Sequence, residues 1–237
     1  MTEFASALCN FQGKTVIIAE SSTRIGRETA RIFAEKGAKI VITSKDAASL
    51  TETKNLCIEA GADQENVLEI LANFDSDESL SAIIDDTVKA FGGIDILVIN
   101  VCIERPDSQE HADTAVDRGN REILRSILAL TNFALPHLAK TKGSVVNVAS
   151  LAAHSSGEQE ICYAISKSAL DQLIIQTATR LIKMGVRVNS VNQGLIEAGL
   201  VCKINAPKNF GKALFHLGEN TWMVHFGKVG EGNDIAE

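Results

Sequence analysis

Thr15-Val16-Ile17-Ile18-Ala19-Glu20-Ser21-Ser22-Thr23-Arg24-Ile25-Gly26-Arg27 opens on an unbroken apolar run, passes a short polar turn and continues into a segment of mixed polarity. The apolar run, rich in β-branched residues, has the character of a strand buried on both faces. The polar turn reads as the entrance to a helix. Working outward, the same alternation recurs. Further strands are predicted at Lys39–Thr43, Val67–Leu71, Ile94–Asn100, Ser144–Val148 and Arg187–Val191. Helices are predicted at Gly26–Lys36, Ala47–Ala60, Asp77–Phe91, Ala115–Lys140 and Tyr163–Met184. Apolar strands separated by helices imply a parallel sheet covered on both faces, a doubly wound, three-layer α/β/α arrangement. There is no long linker, repeat or low-complexity tract and there are only three prolines, so residues 1–237 read as a single domain.

Composition narrows the function. At 237 residues and 45% hydrophobic, the chain has enough apolar material for one large core. A net charge of −7 argues against nucleic acid or an anionic membrane as partner. Cys9, Cys57, Cys102, Cys162 and Cys202 are scattered, odd in number and free of Cys-x-x-Cys pairs. That pattern suits reduced thiols in a reducing compartment, with Cys162 as a small buried apolar residue. The segment Met1 to Phe11 is too short and too polar for a signal peptide, and no apolar run reaches spanning length. The expectation is a soluble cytoplasmic protein. His111, His137, His154, His216 and His225 show no ligand spacing, so no metal site is expected.

Two constellations carry chemistry. In Tyr163-Ala164-Ile165-Ser166-Lys167 a phenol and an ammonium stand four residues apart, on one face of the predicted helix. A phenol titrates near ~10 in water, too high for easy proton exchange at neutral pH, and a neighbouring Lys⁺ favours the phenolate. Thirteen residues upstream, Ser150 ends Asn147-Val148-Ala149-Ser150 at the carboxyl end of a strand, where ligands of open α/β sheets bind. A hydroxyl to hold a carbonyl oxygen, a phenol to protonate it and a lysine to tune the phenol make a carbonyl-reduction site. The second constellation is the first strand-to-helix turn. A helix N-terminus attracts phosphate, but Gly26 is the one glycine in this turn.

With these residues in order, the chain resembles the short-chain dehydrogenase/reductase family over nearly its whole length, most nearly the branch reducing small carbonyls and dicarbonyls. The resemblance runs through Ala19–Gly26, Ile99-Asn100-Val101-Cys102, Ser150, Tyr163 with Lys167, and Asn189-Ser190-Val191-Asn192-Gln193-Gly194. It ends on Gly227-Lys228-Val229-Gly230 and Asp234-Ile235-Ala236. It implies a Rossmann-like fold and hydride transfer between NAD(P) and a carbonyl or alcohol carbon. Ser150 would orient the carbonyl, Tyr163 would be the acid/base, and Lys167 would tune Tyr163 and hold the nicotinamide ribose. The implied cofactor contacts are Ser21, Ser22, Arg24, Ile25, Gly26, Lys45, Asn73, Asn100, Tyr163, Lys167, Gly194 and Ile196. Lys45 after the second strand favours NADP, although Asp46 is adjacent and NAD stays open. Asn73 would meet the adenine edge. Residues 198–226 match a substrate-lid region, in which Phe215, Trp222 and Phe226 offer apolar walls, and a homodimer through the two long helices is implied.

The departures are specific. Glu20 and Arg24 replace two turn glycines, and a carboxylate beside a pyrophosphate repels it unless Arg24 or Arg27 compensates. Val101-Cys102 replaces Ala-Gly, and Ile123, thirteen residues before Pro136, takes the place of a catalytic Asn. Gln193 replaces a proline and Ala198 a threonine. The chain stops at Glu237, so the expected sheet lacks the family's last strand. Three readings stay open from sequence: an NAD(P)-dependent oxidoreductase acting on a small carbonyl or alcohol, a catalytically silent interaction protein on the same fold, and a truncated, poorly folding product.

Overall fold

The computed structural model describes residues 10–22, 24–101, 117, 120–154, 161–194 and 235–236, apart from the side chains of Glu122 and Cys162. Six strands form one parallel sheet in the order β3-β2-β1-β4-β5-β6. They are β1 (Thr15–Ala19), β2 (Lys39–Ser44), β3 (Val67–Leu71), β4 (Ile96–Ile99), β5 (Ser144–Ser150) and β6 (Arg187–Gln193). Between them run α1 (Arg24–Glu35), α2 (Ala47–Glu59), α3 (Asp77–Phe91), α4 (Ser126–Thr141) and α5 (Ile161–Leu181). The strand order reverses between β1 and β4, which creates a crevice at the carboxyl edge of the sheet.

Alternation along the strands divides the core into two layers. Val16, Ile18, Ile40, Ile42 and Val98 pack with Ala30 and Ala34 of α1 and with Leu50 and Cys57 of α2. The opposite face presents Ile17, Val41, Leu97, Ile99, Val145 and Ala149 to α3, α4 and α5. This is the three-layer arrangement expected from the chain's alternating pattern. Every residue of β1 is buried, as a central parallel strand requires. Among the described residues no helix is long and apolar enough to cross a membrane.

The boundaries differ from the sequence expectation in three informative places. β4 is shorter than Ile94–Asn100, since Asp95 is drawn aside: its carboxylate accepts from the Thr15 amide at 3.0 Å and from Lys14 Nζ at 2.8 Å. β5 and β6 each run two residues longer than expected, pairing in register as far as Ser150 with Gln193. The helix expected at Ala115–Lys140 enters through a π-helical turn, Asn120–Arg125, before α4 begins. Such turns concentrate at functional sites, and no periodicity in the chain announces this one.

Candidate active site

The β1–α1 turn is built around close backbone approach. Glu20 takes a left-handed conformation, φ 57°, where glycine is the usual occupant and an ordinary side chain is strained. A Cβ added at Gly26 would stand 2.5 Å from Glu20 O, 2.8 Å from Ser21 Cα and 3.0 Å from Asn100 Nδ2. Gly26 therefore lets α1 sit against the turn. Asn100, buried after β4, donates from Nδ2 to Glu20 O at 3.0 Å and braces the turn from below. Ser21 is fully buried, and its hydroxyl donates to Thr43 O at 3.1 Å and accepts from Thr43 N at 2.9 Å. Here the expectation for Ser21 needs adjusting: its hydroxyl fastens the turn to β2, so Ser21 contributes shape to a ligand site and no free hydroxyl. The Ile25 side chain is also buried, whereas Arg24 is exposed.

Arg27 lies beside this turn. Its Nη2 donates to Glu52 Oε2 at 2.9 Å and to Ser22 O at 3.4 Å, while its Nε is buried with no partner among the described residues. A guanidinium N–H left unpaired at a strand-to-helix turn fits an anion there, although Glu52 already offsets part of the charge.

At the end of β2, Lys45 is exposed and its Nζ lies 3.9 Å from Asp75 Oδ2, a loose surface pair. Asp46 is the N-cap of α2, its Oδ1 accepting from the Ser49 amide at 2.6 Å. That hydrogen bond holds the Asp46 carboxyl below its ordinary value. The acid that competes with Lys45 on sequence alone is thus committed to a helix end. Asn73 is exposed, its Oδ1 accepting from Asp75 N at 3.1 Å.

The other half of the carboxyl edge gathers Ser150, Tyr163 and Lys167. Ser150 ends β5, is buried, and accepts from the Ala152 amide at 3.2 Å, which leaves its O–H as a donor. Tyr163, half-buried, sits in the first turn of α5. Lys167 is 1% exposed, the largest fully buried side chain of the described molecule. Its Nζ stands 5.7 Å from the centre of the Tyr163 ring and donates to Val148 O at 3.4 Å. Burying an ammonium is costly unless hydrogen bonds and neighbours compensate, so its placement against β5 is a committed feature of the fold. Ile123 lies in the π-helical turn and is wholly buried in the core against α3, α4 and α5. The position thus offers an apolar side chain where the resemblance implies an amide.

Sequence reasoning missed Asp171 and Asn192. Asp171 lies four residues beyond Lys167 on α5, continuing the Tyr163–Lys167 spacing. It accepts from Asn192 Nδ2 at 3.1 and 3.2 Å and meets His154 Nε2 at 2.9 Å. With Ser168 Oγ on Ala153 O at 2.8 Å, these contacts stitch the segment after β5, helix α5 and the end of β6 together. His154 is exposed on the segment after β5. Gly194 is described and exposed; Ile196, residues 198–226, Cys102, Trp222 and the Gly227–Gly230 motif lie outside the described residues. No cluster of side chains able to hold a metal ion occurs among the described residues.

Comparison with known proteins agrees with this fold. The enoyl-(acyl carrier protein) reductase family model matches residues 19–237. A Caenorhabditis elegans short-chain dehydrogenase/reductase of unknown function, solved with cofactor, is 32% identical with a TM-score of 0.87, covering 95% of this chain and 86% of that one. Glucose dehydrogenase of C. elegans in the apo form is 35% identical with a TM-score of 0.79, covering 96% and 88%. L-fucose dehydrogenase of Bos taurus is 28% identical over 95% of this chain and 81% of its own length. The doubly wound sheet, the order of motifs along it and these matches make one case: the chain belongs to the short-chain dehydrogenase/reductase family of oxidoreductases.

Proposed function

We propose that the protein is an NADP-preferring oxidoreductase that reduces a small carbonyl, or oxidises the corresponding alcohol, with Ser150, Tyr163 and Lys167 as its working residues. The observation that carries this reading is Lys167, buried beside the Tyr163 ring and fixed to the carbonyl of Val148 on the strand that ends at Ser150. Lysine is rarely fully buried unless paired, and a buried charge beside the Tyr163 ring supports a role in tuning that phenol.

The Ser150 hydroxyl donates to the substrate carbonyl oxygen and fixes its position. Tyr163 Oη delivers a proton to that oxygen as charge develops there, and the Lys167 ammonium stabilises the phenolate left behind. NADPH, when bound, supplies the hydride. The residues that would hold it are Ser22, Arg24, Ile25 and Gly26 at the turn, Lys45 for the 2′-phosphate, Asn73, Lys167, Gly194 and Ile196. NADP is favoured over NAD because Lys45 is exposed and Asp46 is tied to Ser49. The names of two similar proteins, an L-fucose dehydrogenase and a glucose dehydrogenase, support hydroxylated compounds as the substrates to try first.

Exposed Leu128 on α4 with Ile165 and Ile175 on α5 support a homodimer through these helices. A cytoplasmic setting goes with this reading. The test is NADPH oxidation with a panel of small aldehydes, ketones and sugars. Wild type should turn over at least one of them, and Tyr163→Phe should lose the ~10²–10⁴-fold typical of a missing general acid. Full activity in Tyr163→Phe would remove the tyrosine from its role.

A further inference from the structure

Gln193 closes β6 where that strand meets the end of β5, and its register partner is Ser150. Partners in a parallel ladder project their side chains to the same face, with strands about 4.8 Å apart. The Gln193 and Ser150 side chains therefore leave the sheet on the same face at the carboxyl edge, one strand spacing apart. Gln193 Oε1 is buried and accepts no hydrogen bond among the described residues. Leaving a buried acceptor unpaired is costly, so such an atom marks a place where a bound molecule supplies the donor. Among the described residues two other buried side-chain atoms share the condition: Asn147 Oδ1, three residues back along β5, and Arg27 Nε at the β1–α1 turn. Of the three, Gln193 is the register partner of Ser150. The residue type is also telling. A proline here has no side-chain acceptor, whereas glutamine introduces one on the strand next to the hydroxyl that holds the carbonyl.

We infer that Gln193 is a specificity-determining residue, and that its Oε1 accepts a hydrogen bond from a hydroxyl on the carbon next to the reacting carbonyl. The preferred substrates are then α-hydroxy carbonyl compounds, and the products vicinal diols. This rests on the carbonyl-reductase reading above. With the carbonyl oxygen on Ser150, the neighbouring carbon is the part of the substrate that faces the adjoining strand. A hydroxyl there donates to Oε1, and an alkyl group leaves Oε1 unpaired. The adjacent hydroxyl takes no part in the bond changes: hydride adds to the carbonyl carbon and the Tyr163 proton to its oxygen.

A matched pair of ketones tests the inference: 3-hydroxybutan-2-one, and 3-methylbutan-2-one, which carries a methyl in place of the hydroxyl. The readout is the ratio of kcat/KM for the two with NADPH, alongside the NADPH dissociation constant and the unfolding temperature of each variant. Wild type should prefer the hydroxyketone. Gln193→Met should lower the ratio about tenfold, the net worth of one hydrogen bond, chiefly through KM for the hydroxyketone. Gln193→Glu, which keeps an acceptor, should retain the preference. If Gln193→Met does not fold, Gln193→Pro takes its place with the same ratio as readout. A ratio unchanged in the variant overturns the inference. So does weaker NADPH binding with an unchanged ratio, which would set Gln193 against the cofactor. A wild type inert toward both ketones and every other carbonyl overturns the inference together with the reading beneath it, whereas an active wild type without preference overturns the inference alone.

Discussion

The carboxyl ends of β1 and β5 face the same side of one sheet, yet they keep their form by different means. At β1 the turn into α1 is held by backbone and short polar contacts: Ser21 on Thr43, Asn100 on Glu20 O, and Gly26 against Ser21. At β5 the site is held by long side chains reaching between elements: Lys167 to Val148, and Asp171 to both His154 and Asn192. The first region tolerates Glu20 and Arg24 in place of glycine because its shape resides in main-chain geometry, at the cost of strain at Glu20. The second keeps the phenol and the ammonium that the proposed proton transfer requires. Ile123 is the exception in this half, an apolar side chain where the resemblance implies an amide.

Lys167 offers the sharpest way to break this contrast. Lys167→Met should reduce turnover by roughly the ~10²-fold or more expected from a lost acid/base partner and weaken NADPH binding as well. Tyr163 is the chain's single tyrosine, so ultraviolet phenolate absorbance titrates it alone. Its midpoint should rise in Lys167→Met, because the cation that favours the phenolate is gone. An unmoved midpoint would mean the two side chains do not communicate.

On the other side of the comparison, Gly26→Val should be the most damaging change in the turn. Its Cβ would meet Glu20 O at 2.5 Å, and both are main-chain constrained. Overpacking of this kind costs about 1–3 kcal/mol, so chemical denaturation should show that loss together with weaker nucleotide binding. Wild-type stability in the valine variant would show that α1 does not lean on the turn as described.

Cys57 reports on the packing beneath the nucleotide half with a smaller effect. It is wholly buried between α2 and the sheet, and burial pushes its thiol up to about 12, with Arg31 opposing weakly. The folded thiol stays neutral while the unfolded one ionises near 9. Its contribution to stability is therefore complete below pH 9 and is lost as the pH rises toward 12. Cys57→Ala should be less stable than wild type at pH 7 by about 1 kcal/mol, and the gap should narrow at pH 10. A gap that widens instead would contradict a buried, neutral thiol.

How much of this was legible beforehand depends on the kind of signal. Strands β1 and β3 and helix α3 were readable to the residue, because apolar runs and the Ser76 cap before Asp77 leave little freedom. The placement of Ser150 and of Tyr163 with Lys167 followed from helical spacing and a strand end. The π-helical entrance to α4 was not readable, since Asn120–Arg125 carries no proline or glycine to mark it. Nor was the commitment of Ser21, whose hydroxyl was equally free, on paper, to face a ligand or β2. Asp171, His154 and Asn192 come from three parts of the chain, and only the folded chain brings His154 and Asn192 within 3.2 Å of Asp171.

The central claim is that a turn with Glu20 and Arg24 in place of two glycines still serves a dinucleotide site. Equilibrium titration of NADPH and NADH, followed by nicotinamide fluorescence, into wild type and Glu20→Gly tests it most directly. Saturable binding to wild type is expected, tighter for NADPH than for NADH because of Lys45. Glu20→Gly should bind several-fold more tightly; relief of about 1–2 kcal/mol of left-handed strain should outweigh the ~0.5–1 kcal/mol entropic cost of a glycine, leaving the variant slightly more stable. Absence of saturable binding of either nucleotide to wild type and to Glu20→Gly would contradict the account.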